Sequence, residues 1–334
     1  MYTRRNLILA VTLLCGLPRL AQAWNERGHM LVAALAYQQL TDCEKAQIKT
    51  ILSAHPHVVE WLRKDVPAGA DPAQWAFMRA ATWPDFVRGF ESEKHHQSNW
   101  HYISLPLVDL ADPSPAIHSD PRCQPGHVDA VSVIQACVQA LRGNSTRVNA
   151  LRHPGTMEFN QAVALSWILH LAGDLHQPLH TVRLFRDDLP LGDDGGNALK
   201  ARWQGDPTPN PERKFGEMNS LHSFWDGCLG TDVDLASIMS AVKSLSGSAE
   251  TAQSSFECCA IRQLNPNVWA DEGRQISKNF VYQFGKIRFS TDPNHPTDLS
   301  SLHGYEAEAR SIARQRLSLA GYRLAALLRC VLND

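Results

Sequence analysis

Apolar residues recur at helical spacing over residues 30–40 and again over 45–52, where Thr41 with Glu44 three positions on reads as a capping box. The same period runs through 128–141, 159–175, 233–245, 268–284 and 305–331. Alternating β-branched runs bounded by hairpin dipeptides are scarce, so the pattern predicts an all-α chain. Residues 183–210, rich in Asp, Gly and Pro, predict one long loop, and a loop of that length inside a compact domain is usually functional. No Gly/Ser/Pro-rich linker or internal repeat divides the chain, so residues 24–334 are expected to form a single globular domain of many helices.

The N-terminus has a different pattern. Arg4 and Arg5 precede an apolar run from Leu7 to Leu17, and Ala21-Gln22-Ala23 supplies the small residues a signal peptidase needs. Residues 1–23 are therefore expected to be a signal peptide, removed on export to a periplasmic or secreted destination. Thr3-Arg4-Arg5 followed by Leu7-Ile8 also resembles a twin-arginine signal. The run is too short to span a bilayer and nothing downstream replaces it, so no membrane span is expected, nor is a stable protein partner.

Cleavage would take Arg4, Arg5 and Arg19 and no acid, moving the net charge from −2 to −5. A mildly acidic chain is a poor reader of long duplexes, which are held by neutralising many phosphates; nucleic acid would be gripped at a few nucleotides and through metal ions. Seven cysteines would remain (Cys43, Cys123, Cys137, Cys228, Cys258, Cys259 and Cys330), with no spaced CxxC pair. In an oxidising compartment this count predicts disulfide bonds with one thiol left over. Asn144-Ser145-Thr146 is a glycosylation acceptor by pattern.

The chemistry concentrates in His170-Leu-Ala-Gly-Asp174-Leu-His176-Gln-Pro-Leu-His180. His170 and Asp174, four residues apart at the end of an apolar helix, project from one face and can reach one metal or two adjacent ones. Pro178 turns the chain, so His180 approaches from another direction. His222-Ser-Phe-Trp-Asp226 repeats the spacing on a second expected helix. Imidazole plus carboxylate is the ligand chemistry of hydrolytic zinc. A single such pair is usually only a surface hydrogen bond; two pairs with a further histidine are not. His176 falls off the His170–Asp174 face and reads as a buried supporting histidine. Upstream, Trp83-Pro-Asp85 and Trp100-His101-Tyr102 each add a ligand type beside an aromatic, and cleavage after Ala23 would leave Trp24 as first residue with His29 five positions on. A freed α-amino group with its own carbonyl can chelate a metal, and its pKa leaves neutral amine near neutral pH.

Taken in order, these motifs resemble the class I zinc-dependent single-strand nuclease and 3′-nucleotidase family, the S-one/P-one type: an N-terminal Trp with His five on, Trp-x-Asp, His-aromatic-Ile, His-x3-Asp-x-His-Gln-Pro-Leu-His, Gly-Gly-Asn, and a closing His-x3-Asp. They span Trp24 to Asp226; from Gly227 on only helical scaffold is visible.

The resemblance implies an all-α fold, related to that of zinc-dependent phospholipase C, with a trinuclear zinc cluster at the bottom of a cleft. Asp85, His101, His170 and Asp174 would bind one Zn2+; Trp24, His29 and the bridging Asp174 a second; His180, His222 and Asp226 a third. It implies a phosphodiesterase and phosphomonoesterase that hydrolyses single-stranded DNA and RNA to 5′-phosphate products and removes 3′-phosphates from nucleotides. A zinc-bound hydroxide would attack while Asp85 handles its proton and Arg88 faces the developing charge. Tyr102 would stack on the base and Asn197 contact it, which suits unstacked single strands. Fungal members carry an acidic residue shortly after the stacking aromatic, where Ser104 stands here.

Two other readings fit parts of the pattern. Zinc-dependent phospholipase C shares the N-terminal Trp, but its last ligand is a Glu four residues after the final His, where this chain has Asp226. An exported zinc-binding protein without activity would favour closed, thiolate-rich sites over open carboxylate-rich ones.

Overall fold

The computed structural model describes residues 24–89, 95–109, 121–123, 126–144, 157–204, 219–284 and 286–333. The expected signal peptide, and Ser145 and Thr146 of the glycosylation pattern, lie outside these residues.

The architecture is helical, and its centre is α1 (Glu26–Gln39). Every residue from Gly28 to Tyr37 is buried, so α1 is apolar on all sides and must be surrounded. The long α10 (Tyr305–Leu332) and α3 (Pro72–Arg88) pack against it. Gly321 permits the close crossing of α10, since a Cβ there would lie 2.7 Å from Leu35 Cβ. α5 (Met157–Asp174) completes the centre, with residues from Ala162 to Asp174 buried, flanked by α2 (Asp42–Ser53) and α4 (Ala130–Leu141). Thr41 caps α2 through the expected capping box with Glu44. Beyond α5 come α6 (Leu221–Gly227), α7 (Leu235–Gly247), the single turn α8 (Cys258–Ile261) and α9 (Pro266–Ile276), the last continuing into a wider π-type turn, Ser277–Val281. Among the described residues, no helix is long and apolar enough to cross a membrane.

The structure adds to the apolar periodicity at three points. The apolar periodicity does not announce α3, which begins at Pro72 behind the Asp71 cap and runs through Pro84 to Arg88. The region from 183 onward is not all loop: β2 (Val182–Arg186) pairs in parallel with β1 (Leu105–Asp109), Leu105 opposite Val182. β2 is buried throughout, arginines included, so it lacks the alternation that marks a half-exposed strand, and its partner is remote in sequence. A second parallel pair joins β3 (Ala201–Arg202) to β4 (Thr297–Asp298). Finally, no disulfide joins two cysteines among the described residues: Cys137 sits in the core, where burial pushes its thiol pKa up, while Cys43, Cys258, Cys259 and Cys330 are exposed.

A charge network of two buried arginines and the partly exposed Glu272 locks the scaffold to the end of α5. Glu272 of α9 accepts from Arg316 Nη1 at 2.7 Å and, at both oxygens, from Arg323 at 2.7 Å. Arg323 Nη1 also donates to His176 Nε2 at 3.0 Å, and His176 Nδ1 donates to the Ala172 carbonyl at 2.7 Å. His176 is thus the supporting histidine that its helical position predicted. Burial, with the charges of Arg316 and Arg323, holds its pKa well below the ordinary value. Its folded pKa being depressed, the unfolded chain binds more protons below pH ~6.5, and stability drains away as the pH falls through that range. His176→Gln, which keeps one donor and one acceptor, should flatten the pH dependence of the unfolding free energy between pH ~5 and 6.5 by up to about 1.4 kcal/mol per pH unit. Urea titrations of both proteins across that range check this; identical slopes would rule it out.

Candidate metal centre

Four elements bring the first cluster together. α5 ends on His170 and Asp174, one turn apart, with His170 Nε2 3.2 Å from Asp174 Oδ2. α3 contributes Asp85, α1 His29, and the 3₁₀ turn Ser98–His101 contributes His101. The two oxygens of Asp174 face different ways: Oδ1 lies 3.4 Å from His29 Nε2, while Oδ2 lies 3.5 Å from His101 Nδ1. Asp85 straddles the same gap, Oδ1 at 3.7 Å from His101 Nδ1 and Oδ2 at 3.9 Å from His29 Nε2.

A second cluster joins His180, on the Pro178–Thr181 turn, to His222 and Asp226 of α6, with His222 Nε2 3.2 Å from Asp226 Oδ2. The backbone stitches the two clusters together. His180 Nδ1 donates to the His101 carbonyl at 2.8 Å, and Ile103 N donates to the His180 carbonyl at 2.9 Å.

The donor set fits a cation. Among the described residues three groups bring ligand atoms within reach of one ion: His29, Asp85 and His170; His101, His170 and Asp174; and His180, His222 and Asp226. Both nitrogens of His29, Nε2 of His101 and both oxygens of Asp174 are buried without a hydrogen-bond partner, an expensive state for protein atoms alone. The imidazoles of His170, His180 and His222 each direct Nδ1 at a backbone carbonyl, of Ala81, His101 and Gly195 respectively. That contact fixes the tautomer and leaves Nε2 as a lone pair. His180 Nε2 and His222 Nε2 then confront each other at 3.0 Å, lone pair to lone pair, which a shared metal ion resolves.

The electrostatics agree. Burial pushes the Asp174 carboxyl up to about 7, against the pull of His170, and Asp226 up to about 6. Burial also holds His29, His101 and His180 well below the usual imidazole value. Burial thus resists charge on both carboxyls, while Asp174 and Asp85 raise His170 against the effect of burial; a divalent ion would draw the carboxyls to their anionic and the imidazoles to their neutral, ligating forms.

Trp24 is fully buried; its indole Nε1 donates to the Gly173 carbonyl at 3.1 Å. The next residue, Asn25, donates its backbone N–H to the Asp226 carbonyl at 3.2 Å, so this segment lies between the α5 terminus and α6.

A cavity of about 300 Å³ opens over the histidines; Arg88, Tyr102 and Asn197 line it together with His101, His180 and His222. Arg88 Nη1 donates to Asp85 Oδ1 at 3.1 Å. Gly195, at positive φ, has no room for a side chain, since a Cβ would lie 2.6 Å from the Leu179 carbonyl; the tight turn aims its own carbonyl at His222. Every site residue expected from sequence is thus gathered around the two clusters and this cavity.

Two supporting residues escaped the sequence reading. Asp193, fully buried, accepts from Leu184 N at 2.8 Å, Gly195 N at 3.1 Å and Tyr282 Oη at 2.6 Å, and so holds the Gly195–Asn197 turn. Gln177 donates to Asp226 Oδ1 at 2.7 Å. Its only sequence signal was its place inside the histidine-rich block.

Comparison with known proteins agrees with this geometry. The family model described as S1/P1 Nuclease matches residues 24–333. Among curated relatives, Endonuclease 4 of Arabidopsis thaliana is 24% identical over 330 residues, covering 94% of this chain and 91% of its own length. Endonuclease 2 of the same plant is 23% identical over 339 residues, covering 96% and 94%. Endonuclease 1 is 27% identical over 229 residues, covering 67% of this chain, which spans 59% of that relative. With that family model running from Trp24 almost to the C-terminus, the chain belongs to the S1/P1 nuclease family.

Proposed function

We propose that the protein is a zinc-dependent nuclease and 3′-nucleotidase, cutting single-stranded DNA and RNA to 5′-phosphate products and removing 3′-phosphates from nucleotides. The observation that carries this reading is Asp174, whose two partnerless buried oxygens face different histidines beneath a cavity lined by Arg88, Tyr102 and Asn197. A carboxylate so placed can be shared by two ions. Asp85, His101, His170 and Asp174 would hold one Zn2+, Trp24, His29 and Asp174 another, and His180, His222 and Asp226 a third. Family membership supports metal-dependent action on nucleic acid. Zinc in these sites would supply Lewis acidity to a phosphoryl oxygen and lower the pKa of nearby water.

The chain's own residues divide the remaining work. Arg88, braced against Asp85, presents a guanidinium to the phosphoryl oxygens. Asp85 is placed to accept the proton of the attacking water. Tyr102, partly exposed at the cavity wall, offers a stacking face that tolerates any base but requires it to be unstacked from its neighbour, which favours single strands. Asn197, its Nδ2 tied to the Asp194 carbonyl, is positioned to meet the base edge. Export and cleavage after Ala23 belong to the same reading, since they would free the Trp24 amine for ligation.

Asp174→Ala should lower zinc from three ions per chain to one and reduce turnover of single-stranded DNA, RNA and 3′-AMP together by about a thousandfold or more. Metal analysis beside the three assays checks this, and unimpaired activity would refute a shared carboxylate. Tyr102→Ala should cut kcat/KM on single-stranded DNA roughly tenfold, chiefly through KM, from the loss of one stacking face. Steady-state kinetics on a short oligonucleotide measure it; an unchanged KM would remove Tyr102 from the substrate site. One alanine placed ahead of Trp24 in the processed protein should weaken zinc retention and turnover by about tenfold or more, because an amide nitrogen replaces the amine. If chelator resistance and rate both survive, the terminal amine is not a ligand.

A further inference from the structure

We propose that Gln177 is a positioning residue that commits Asp226 to binding through one oxygen and couples the His180–His222–Asp226 group to the turn carrying His180. This deepens the three-zinc reading and rests on it. Gln177 is fully buried, and both ends of its amide are in use. Nε2 donates to Asp226 Oδ1 at 2.7 Å, and Oε1 accepts from Leu179 N at 2.6 Å. The amide has one possible orientation, because Leu179 N can only donate and an ionised Asp226 can only accept.

The consequence lies in the geometry of Asp226. Its Oδ1 is held by Gln177, while Oδ2 points at His222 Nε2, 3.2 Å away. A carboxylate on a short helix can otherwise rotate, and each rotamer presents a different oxygen pair to the ion. The bond to Gln177 leaves one oxygen facing the space between His180 and His222. The same side chain caps the Pro178–Thr181 turn through Leu179 N, so the element that delivers His180 and the side chain of Asp226 share one anchor. The remaining two members of the group are fixed separately, each by its Nδ1 contact to a backbone carbonyl. Without Gln177 the carboxylate loses its aim and the turn carrying His180 loses its cap, while the Nδ1 contacts of the two imidazoles remain.

Two variants separate orientation from folding. Gln177→Leu removes both hydrogen bonds. Gln177→Glu keeps the acceptor for Leu179 N, and with it the cap; measured at a pH high enough to ionise both carboxyls, it cannot donate to Asp226 and sets a like charge beside it. Outer partners of metal ligands typically contribute about 10–100-fold in affinity, so both variants should bind the third zinc about 10–100-fold more weakly. At a chelator-buffered zinc activity that leaves wild type with three ions, each should retain two. On 3′-AMP, kcat should fall by about tenfold or more with KM nearly unchanged, because the third zinc would stabilise the charge that develops on the leaving 3′-oxygen. Zinc stoichiometry, the kcat and KM split and the melting temperature of each holoenzyme are measured together.

Loss of one ion in Gln177→Glu at a melting temperature close to wild type supports the proposal. Three ions and wild-type kcat in that variant overturn it, even if Gln177→Leu is impaired, since only the cap would then matter. Fewer than three zinc ions in wild type itself would instead strike the three-zinc reading, and this proposal with it.

Discussion

The structure turns on a cost that protein atoms alone do not offset. Asp174 is buried completely with neither oxygen hydrogen-bonded, and His29 is buried beside it with neither nitrogen engaged. Burying an unpaired carboxylate is among the more expensive things a fold can do, and here burial pushes its pKa to about 7. The same cost recurs a short distance away, where His180 and His222 present lone pairs to each other at 3.0 Å. Metal ions in the two clusters would relieve all three strains, and the rest of the molecule can be understood as the apparatus that keeps these side chains from relaxing apart.

That apparatus is helical because helices hold side chains four residues apart on one face with little freedom. α5 and α6 use the spacing directly, in His170 with Asp174 and in His222 with Asp226. α3 uses the three-residue spacing to set Arg88 against Asp85. Each helix is pinned at the site by groups outside the clusters. Ala81 of α3 accepts from His170, Gly195 from His222, and the Glu272–Arg316–Arg323–His176 network ties the end of α5 to α9 and α10. Breaking a pair of that kind is costly because the charge left on a buried arginine has nowhere to go. Rigidity at the site therefore originates partly in the chain beyond Gly227, which contributes none of the expected ligands.

The substrate side is made differently, from turns. Asp193 and the positive-φ glycines 195 and 196 form a tight curve whose carbonyl aims His222 and whose next residue, Asn197, lines the cavity. One short segment thus serves both the ligand group and the space above it. Membership in the S1/P1 nuclease family gives this arrangement its setting: groups that could hold metal ions, a cavity of about 300 Å³ beside them, and a guanidinium at its wall.

Much of this was legible in the residues themselves. Apolar period 3.6 marked α1, α2, α4, α5, α7, α9 and α10, and the His-x3-Asp spacings placed both ligand pairs, since a helix converts sequence distance into direction without help from the rest of the chain. What only tertiary structure decided was everything resting on contacts between distant segments. α3 is not announced by the apolar period and is helical because α1 and α5 pack on it; β2 pairs with a strand far upstream and is buried on both faces, so no local alternation records it. The role of Gln177 is of the same kind. Its letter in the sequence is that of an ordinary polar residue, and its importance comes from lying 2.7 Å from a carboxylate 49 positions away, a relation that local propensity cannot encode because it depends on how a turn and a helix meet in space.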